Sequence, residues 1–227
     1  MEIDTDAEWK FSPTAAVKLP RVYPILDRDL LNAKGCPLIG AAAGLLAGGA
    51  EILQLRHKGH WTRETFAEAE EIAHLCTAAG AAFIVNDRAD MAMLLAAGLH
   101  VGQEDLEPAN ARRFMGEKGL IGFSTHNARQ LASAAQEPVD YVALGPIYAT
   151  SSKTNPDPVV GLENLRNWLK PAAQPLVAIG GITRENALAV FDAGADSVAI
   201  IGDLIPAVCT ESSMRVRMNE WLQLTRT

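Results

Sequence analysis

The chain has 227 residues, 48% of them hydrophobic, and a formal net charge of −7. That length is ample for one sizeable core, since α/β barrels reach about 250 residues as a single domain. The acidic balance excludes a nucleic-acid module, which needs a basic face, and no apolar run approaches the roughly 20 residues of a membrane span.

Residues 1–20 carry Glu2, Asp4, Asp6 and Glu8 and lack the basic and apolar regions of a secretory signal. They are expected to form an N-terminal arm, with residues 21–227 as one catalytic domain and the cytoplasm as the default compartment. The three cysteines, Cys36, Cys76 and Cys209, are odd in number, widely spaced and without a CxxC pair. They are expected to be reduced and mostly buried.

Short apolar runs then alternate with amphipathic ones. Val22–Leu26 reads as a strand and Ala41–Ala47 as the helix after it. Ile52–Leu55 precedes a helix over Thr62–Ala79, where Phe66, Ala69, Ile72, Ala73 and Cys76 recur at helical spacing and Thr62 can cap. Ala82–Val85 and Ala89–Ala97 form the third pair, Leu99–Val101 and Pro108–Met115 the fourth. Leu120–Phe123 and Ala128–Ala135 follow, then Tyr141–Leu144 and Leu162–Leu169. Leu176–Ile179 and Glu185–Ala193 form the seventh pair, and Ser197–Ile201 is followed by helical material up to about Leu224. Glycines at Gly48-Gly49, Gly80, Gly98 and Gly194 are expected to close helices in the left-handed conformation.

These strands are too apolar on both faces for a half-solvated sheet, so parallel strands covered by helices fit better. Eight such units predict the α/β class and a single (β/α)8 TIM barrel. An open doubly wound sheet is the alternative, but its dinucleotide form carries a GxGxxG turn after the first strand, and this sequence has none.

A barrel gathers its chemistry at the C-terminal ends of its strands, and polar residues cluster there. Arg56, Lys58 and Lys153 are cations suited to a multiply charged phosphate. Asp87 and Asp105 leave adjacent strands, and two carboxylates with phosphate oxygens and water are how Mg2+ is usually held. Asn86 and Gln103 offer amides beside them. Gly180-Gly181 and Gly202 follow strands seven and eight, the frequent phosphate position of barrels. Two anion sites in one mouth point to two phosphorylated small-molecule substrates. His57, His60, His74 and His100 are read as structural, since no HxH or HExxH spacing occurs. A convincing His–carboxylate pair is not expected.

The segments QLRHKG (54–59), FIVNDR (83–88), HVGQEDL (100–106), IGFSTH (121–126), DYVALGPIYATSSK (140–153), VAIGGIT (177–183) and GADSVAII (194–201) together resemble the thiamine-phosphate synthase (thiamine-phosphate pyrophosphorylase) family. The resemblance runs from about Tyr23 to Ile205. It implies a transferase of thiamine biosynthesis that joins hydroxymethylpyrimidine pyrophosphate to hydroxyethylthiazole phosphate with magnesium, by a dissociative route in which pyrophosphate leaves first. It implies pyrimidine-pyrophosphate contacts from Gln54, Arg56, Lys58, Asn86 and Lys153, magnesium on Asp87 and Asp105, and a contact from Ser124 to the pyrophosphate or developing charge. Thr150, Ser152, Gly181, Ile201 and Gly202 would bind the thiazole phosphate. The sequence departs from the family pattern at Gly202, often Ser, at Ser152, often Thr, and at Ala149, often Pro. A thiazole tautomerase of the same fold, using His126, and a non-catalytic precursor-binding paralogue are the alternatives. Neither nucleic acid nor membrane is expected as a partner. Barrels of this size often self-associate, so a homo-oligomer is compatible with the sequence.

Overall fold

A computed structural model describes residues 18–150, 157–168 and 174–226 of the protein. Residues 1–17 of the expected arm lie outside these. Eight parallel strands close into a barrel in sequence order: β1 (Val22–Asp27), β2 (Ile52–Arg56), β3 (Ala82–Asn86), β4 (Gly98–Val101), β5 (Ile121–Thr125), β6 (Tyr141–Leu144), β7 (Leu176–Ile179) and β8 (Ser197–Ile200). The ring is completed where β8 pairs with β1, Val22 opposite Val198 and Pro24 opposite Ile200.

Helices cover the outside: α1 (Arg28–Ala33), α2 (Leu38–Ala47), α3 (Arg63–Ala79), α4 (Ala89–Leu94), α5 (Pro108–Met115), α6 (Ala128–Ala134), α7 (Gly161–Trp168), α8 (Ala187–Asp192) and α9 (Glu211–Leu224). Thr62 caps α3 as expected, its hydroxyl accepting from the Thr65 amide at 3.2 Å. Among the described residues no helix is long and apolar enough to cross a membrane.

The two-residue period of a strand divides the core into two. Outward positions such as Leu53, Leu55, Leu99, Val101, Val142 and Leu144 pack under the helices. Inward positions form a separate inner cluster that includes Tyr23, Ile25, Ile52, Ile84, Tyr141, Ala143, Val177 and Ala199. On β5 the inward Gly122 is required by space, because a Cβ there would run into the Tyr141 ring. Farther up, the inward positions turn polar and become the floor of a cavity.

Three expectations are corrected. Gly98 does not close a helix. It opens β4, where a Cβ would meet Ile84 Cδ1 at 2.5 Å, and Ala96 takes the left-handed turn instead with φ 48°. The material after β8 is not one helix, since a short 3₁₀ turn over Gly202–Leu204 precedes an irregular stretch before α9. The third concerns the cysteines. Cys76 is free and buried, and burial pushes its thiol up to about 12, but Cys36 and Cys209 form a disulfide with Cα atoms 5.1 Å apart. Packing of parallel helices is the reason. Gly44 and Gly48 of α2 lie against Met214 and Met218 of α9, which brings the residues just before the two N-caps, Cys36 before Pro37 and Cys209 before Thr210, side by side. A sequence separation of 173 residues hides such a pairing from any local pattern.

Candidate active site

The C-terminal ends of the strands surround a cavity of about 1020 Å³. Thirteen residues singled out for phosphate, substrate or metal line it: Gln54, Arg56, Lys58, Asn86, Asp87, Gln103, Asp105, Ser124, Thr150, Gly180, Gly181, Ile201 and Gly202. The other two, Ser152 and Lys153, lie outside the described residues.

Strand parity places the first group. Gln54 and Arg56 are inward positions of β2, and Asn86 is the inward end of β3. The Arg56 guanidinium is fixed by an ion pair with Asp27, whose other oxygen caps α1 by accepting from Leu30 N at 3.0 Å. Asp27 is 4% exposed, so it locks this cation on the wall rather than leaving it to water. Lys58 Nζ lies 2.5 Å from Asp87 Oδ2. Asn86 Nδ2 is a buried donor with no hydrogen-bond partner among the described residues, a costly arrangement unless an acceptor arrives in the cavity.

Asp87 sits in the left-handed region with φ 65°, which Asp tolerates better than most residues. Burial is the largest influence on its carboxyl and raises it above the ordinary range. Lys58 pulls it back, and a hydrogen bond and charge from Asp105 push it up again. Asp105 Oδ2 also accepts from Gly102 N at 2.7 Å, which ties it to the exit of β4. Two carboxylates are thus held together against their repulsion, an arrangement that a divalent cation relieves. Among the described residues no group of three or more His, Cys, Asp or Glu forms a metal cage. A pair of carboxylates suits magnesium, which fills its remaining positions with water and substrate phosphate oxygens.

The opposite rim is built from backbone. The strand β6 exit, beginning with the cis Gly145–Pro146 bond, runs along the β7 exit. Ile147 N donates to Ile179 O at 2.9 Å and Tyr148 N to Gly180 O at 3.0 Å. Gly180 and Gly181 have φ of 99° and 66°. Asn186 holds this turn from below, donating to Gly181 O at 3.0 Å and accepting from Thr183 N at 2.8 Å. Gly202 completes the rim with open space where a Cβ would stand.

Several cavity residues had no functional assignment in the sequence. His100, read as structural, faces the cavity and shares a 2.8 Å hydrogen bond between its Nε2 and Ser124 Oγ. Tyr23 and Tyr141 lie beneath it on the barrel axis. Their signal was parity: Tyr23, Gln54, His100, Ser124 and Tyr141 all fall on the inward register of their strands. His126 Nδ1 lies 3.5 Å from Asp157 Oδ2 on the cavity wall. That ring nitrogen is also 2.7 Å from Gly145 O. The carbonyl, as an obligate acceptor, takes its proton.

Known proteins resemble this chain in sequence and fold. A sequence model of the family described as "Thiamine monophosphate synthase" matches residues 22–204. The thiamine-phosphate synthase of Koribacter versatilis is 46% identical over 213 residues, 92% of this chain and 98% of that protein. The thiamine-phosphate synthase of Laribacter hongkongensis is 41% identical over 190 residues, 83% of this chain and 87% of that one. Among solved structures, a thiamine phosphate pyrophosphorylase from Pyrococcus furiosus superposes with a TM-score of 0.77 at 28% identity, covering 90% of this chain and 94% of its own. Sequence and fold agree over most of the chain's length, and the chain belongs to the thiamine monophosphate synthase family.

Proposed function

We propose that the protein condenses hydroxymethylpyrimidine pyrophosphate with hydroxyethylthiazole phosphate to thiamine phosphate and pyrophosphate, with magnesium. The observation that carries this reading is the two-sided cavity. Cations and paired carboxylates stand on the β2–β4 side and a glycine-lined rim on the β7–β8 side, in one space large enough for both substrates. The relatives named above carry the synthase or pyrophosphorylase name, and none carries that of a tautomerase.

In this reading Arg56 and Lys58 bind the pyrophosphate, with Lys153 joining them on the strength of its motif. Asn86 supplies its unpaired donor to the same ligand. Asp87 and Asp105 would hold magnesium, which supplies Lewis-acid stabilisation of the leaving group when bound. Cations fixed on the cavity wall stabilise the same departing charge, and the cavity brings the second substrate beside it. Departure of pyrophosphate before attack by the thiazole nitrogen asks for no strong base. Gly181, Gly202 and Ile201, with Thr150 and Ser152, take the thiazole phosphate. The reading includes a cytoplasmic setting. There the Cys36–Cys209 bridge is open to reduction, since cytosolic thiol pools keep most such pairs reduced.

Thiamine phosphate should form from the two phosphorylated precursors with magnesium and stop on addition of chelator. No product from folded protein that still binds thiazole phosphate would sink the synthase reading.

Gly202 offers a finer test. The open space at this position lets Gly202→Ser restore the residue common in the family. A new hydrogen bond to a phosphate is worth roughly 1–2 kcal/mol after its costs. The variant should therefore lower the KM for thiazole phosphate about fivefold or more, with the KM for the pyrimidine substrate unchanged. An unchanged thiazole KM would remove this position from the phosphate site.

A further inference from the structure

A continuous hydrogen-bond chain crosses the floor of the cavity and joins Gln54 to Ser124. Gln54 Nε2 donates to Tyr23 Oη at 3.0 Å, Tyr23 Oη lies 2.7 Å from Tyr141 Oη, and Tyr141 Oη lies 3.0 Å from His100 Nδ1. His100 Nε2 ends the chain 2.8 Å from Ser124 Oγ. Four strands contribute its inner members, β1, β2, β4 and β6, and β5 supplies both Ser124 and the Gly122 that makes room for the Tyr141 ring. Tyr23, Gln54, His100 and Tyr141 are 7% exposed or less.

Counting protons gives the chain a direction. An amide NH2 can only donate, so Tyr23 accepts from Gln54 and passes its own single proton to Tyr141. Tyr141 then has its proton left for His100 Nδ1. The imidazole must accept at Nδ1 and carry its proton on Nε2, where it donates to Ser124 Oγ. Burial raises both phenols above their ordinary range, so each keeps the one proton that the count requires. Ser124 accepts from below and has its own O–H free for the cavity, while Gln54 keeps its carbonyl oxygen as an acceptor. With Gln54 donating, reversing the Tyr23–Tyr141 link leaves the Tyr23 proton without an acceptor, and a proton on His100 Nδ1 would face the Tyr141 proton, inside the barrel where a lost partner is expensive.

We propose that His100, Tyr141 and Tyr23 are positioning residues that fix the proton direction of Ser124, holding its hydroxyl as a donor toward the substrate. The role in turnover rests on the synthase reading above. The proton direction does not, because it is a property of the protein without substrate. An inner layer filled for packing alone needs no polar atoms at these positions, and this one places a polar chain from Gln54 to Ser124.

The first test is nitrogen-15 NMR of the histidine side chains in the resting wild-type protein, with the His100 signal identified by its loss in His100→Gln. A neutral ring protonated at Nε2 is expected. A ring protonated at Nδ1, or at both nitrogens, overturns the proposal whatever the protein catalyses. The second test is kinetic. Gln reaches the Nε2 position and can still donate to Ser124, whereas Asn reaches only the Nδ1 position. His100→Gln should therefore turn over roughly tenfold faster than His100→Asn, at similar KM for both substrates. In a Ser124→Ala background that difference should vanish. Equal rates for the two variants with Ser124 present, or a difference that persists without it, would show that His100 does not act through Ser124.

Discussion

Asp87→Asn is expected to lower magnesium-dependent turnover on the order of 10²–10³-fold, the range seen when a group stabilising transition-state charge is removed. The substitution keeps the shape of the side chain. Asn also tolerates the left-handed backbone that Asp87 adopts at φ 65°, so the fold is not asked to change. What is lost is one of the two charges crowded together beside Lys58. Steady-state rates across a magnesium titration, with Tm as the control, make the measurement. A rate recovered at high magnesium assigns the loss to metal affinity, and an unrecovered rate assigns it to the chemical step. A variant with the wild-type rate at every magnesium concentration removes Asp87 from the metal site.

Gly181→Ala is expected to damage stability and the thiazole-phosphate side together. Its φ of 66° alone costs an L-residue roughly 1–2 kcal/mol. The new Cβ would also meet Ala149 O at 2.5 Å and Tyr148 Cβ at 2.7 Å. Those atoms belong to a loop fixed to the β7 exit by the Tyr148–Gly180 hydrogen bond at 3.0 Å, so they cannot withdraw freely. A total of about 3 kcal/mol follows, or a Tm lower by roughly 6–12 °C for a chain of this size. Because the displaced loop leads to Thr150, the KM for thiazole phosphate should rise about tenfold. Gly35→Ala is the matched control. Gly35 has nearly the same φ, 64°, with nothing within 4 Å of a Cβ, and it does not line the cavity. It should pay only the backbone cost and leave KM unchanged. Equal Tm losses in the two variants would show that the crowding at Gly181 is absorbed by the loop.

Most of the barrel was legible in the sequence because its strands are short, apolar and punctuated by helix stops. Tyr141–Leu144, Leu176–Ile179 and Pro108–Met115 have the expected bounds. The one-turn helix α1 was missed, since Arg28–Ala33 is too short to show a period. Gly98 was misread because a glycine after a helix looks the same whether it closes the helix or leaves space between strands. The cavity residues were legible where they follow a strand, as Asp87 and Asp105 do. Gln54, Arg56, Asn86 and Ser124 lie inside strands and were legible through the motifs they belong to, but other strand residues were not. His100 and Tyr141 carry no exit signal, and only the inward register shared by all eight strands shows that they meet. The Cys36–Cys209 bridge depends on α2 lying against α9, a contact between the first and last barrel units that no window of sequence contains.

That contact bears on how the ring closes. Every other strand pair joins neighbours in sequence, whereas β1 and β8 meet across 176 residues, as the Arg21–Ser197 hydrogen bond shows. Loop-closure entropy grows only with the logarithm of the intervening length, so this joint costs about 1.5 kcal/mol more to form than its neighbours. The α2–α9 packing lies over the same joint. When oxidised, the covalent bridge at its end lowers the entropy of the unfolded chain and so favours the closed ring. The costliest joint of the ring therefore has a second and a third fastening beyond its strand hydrogen bonds.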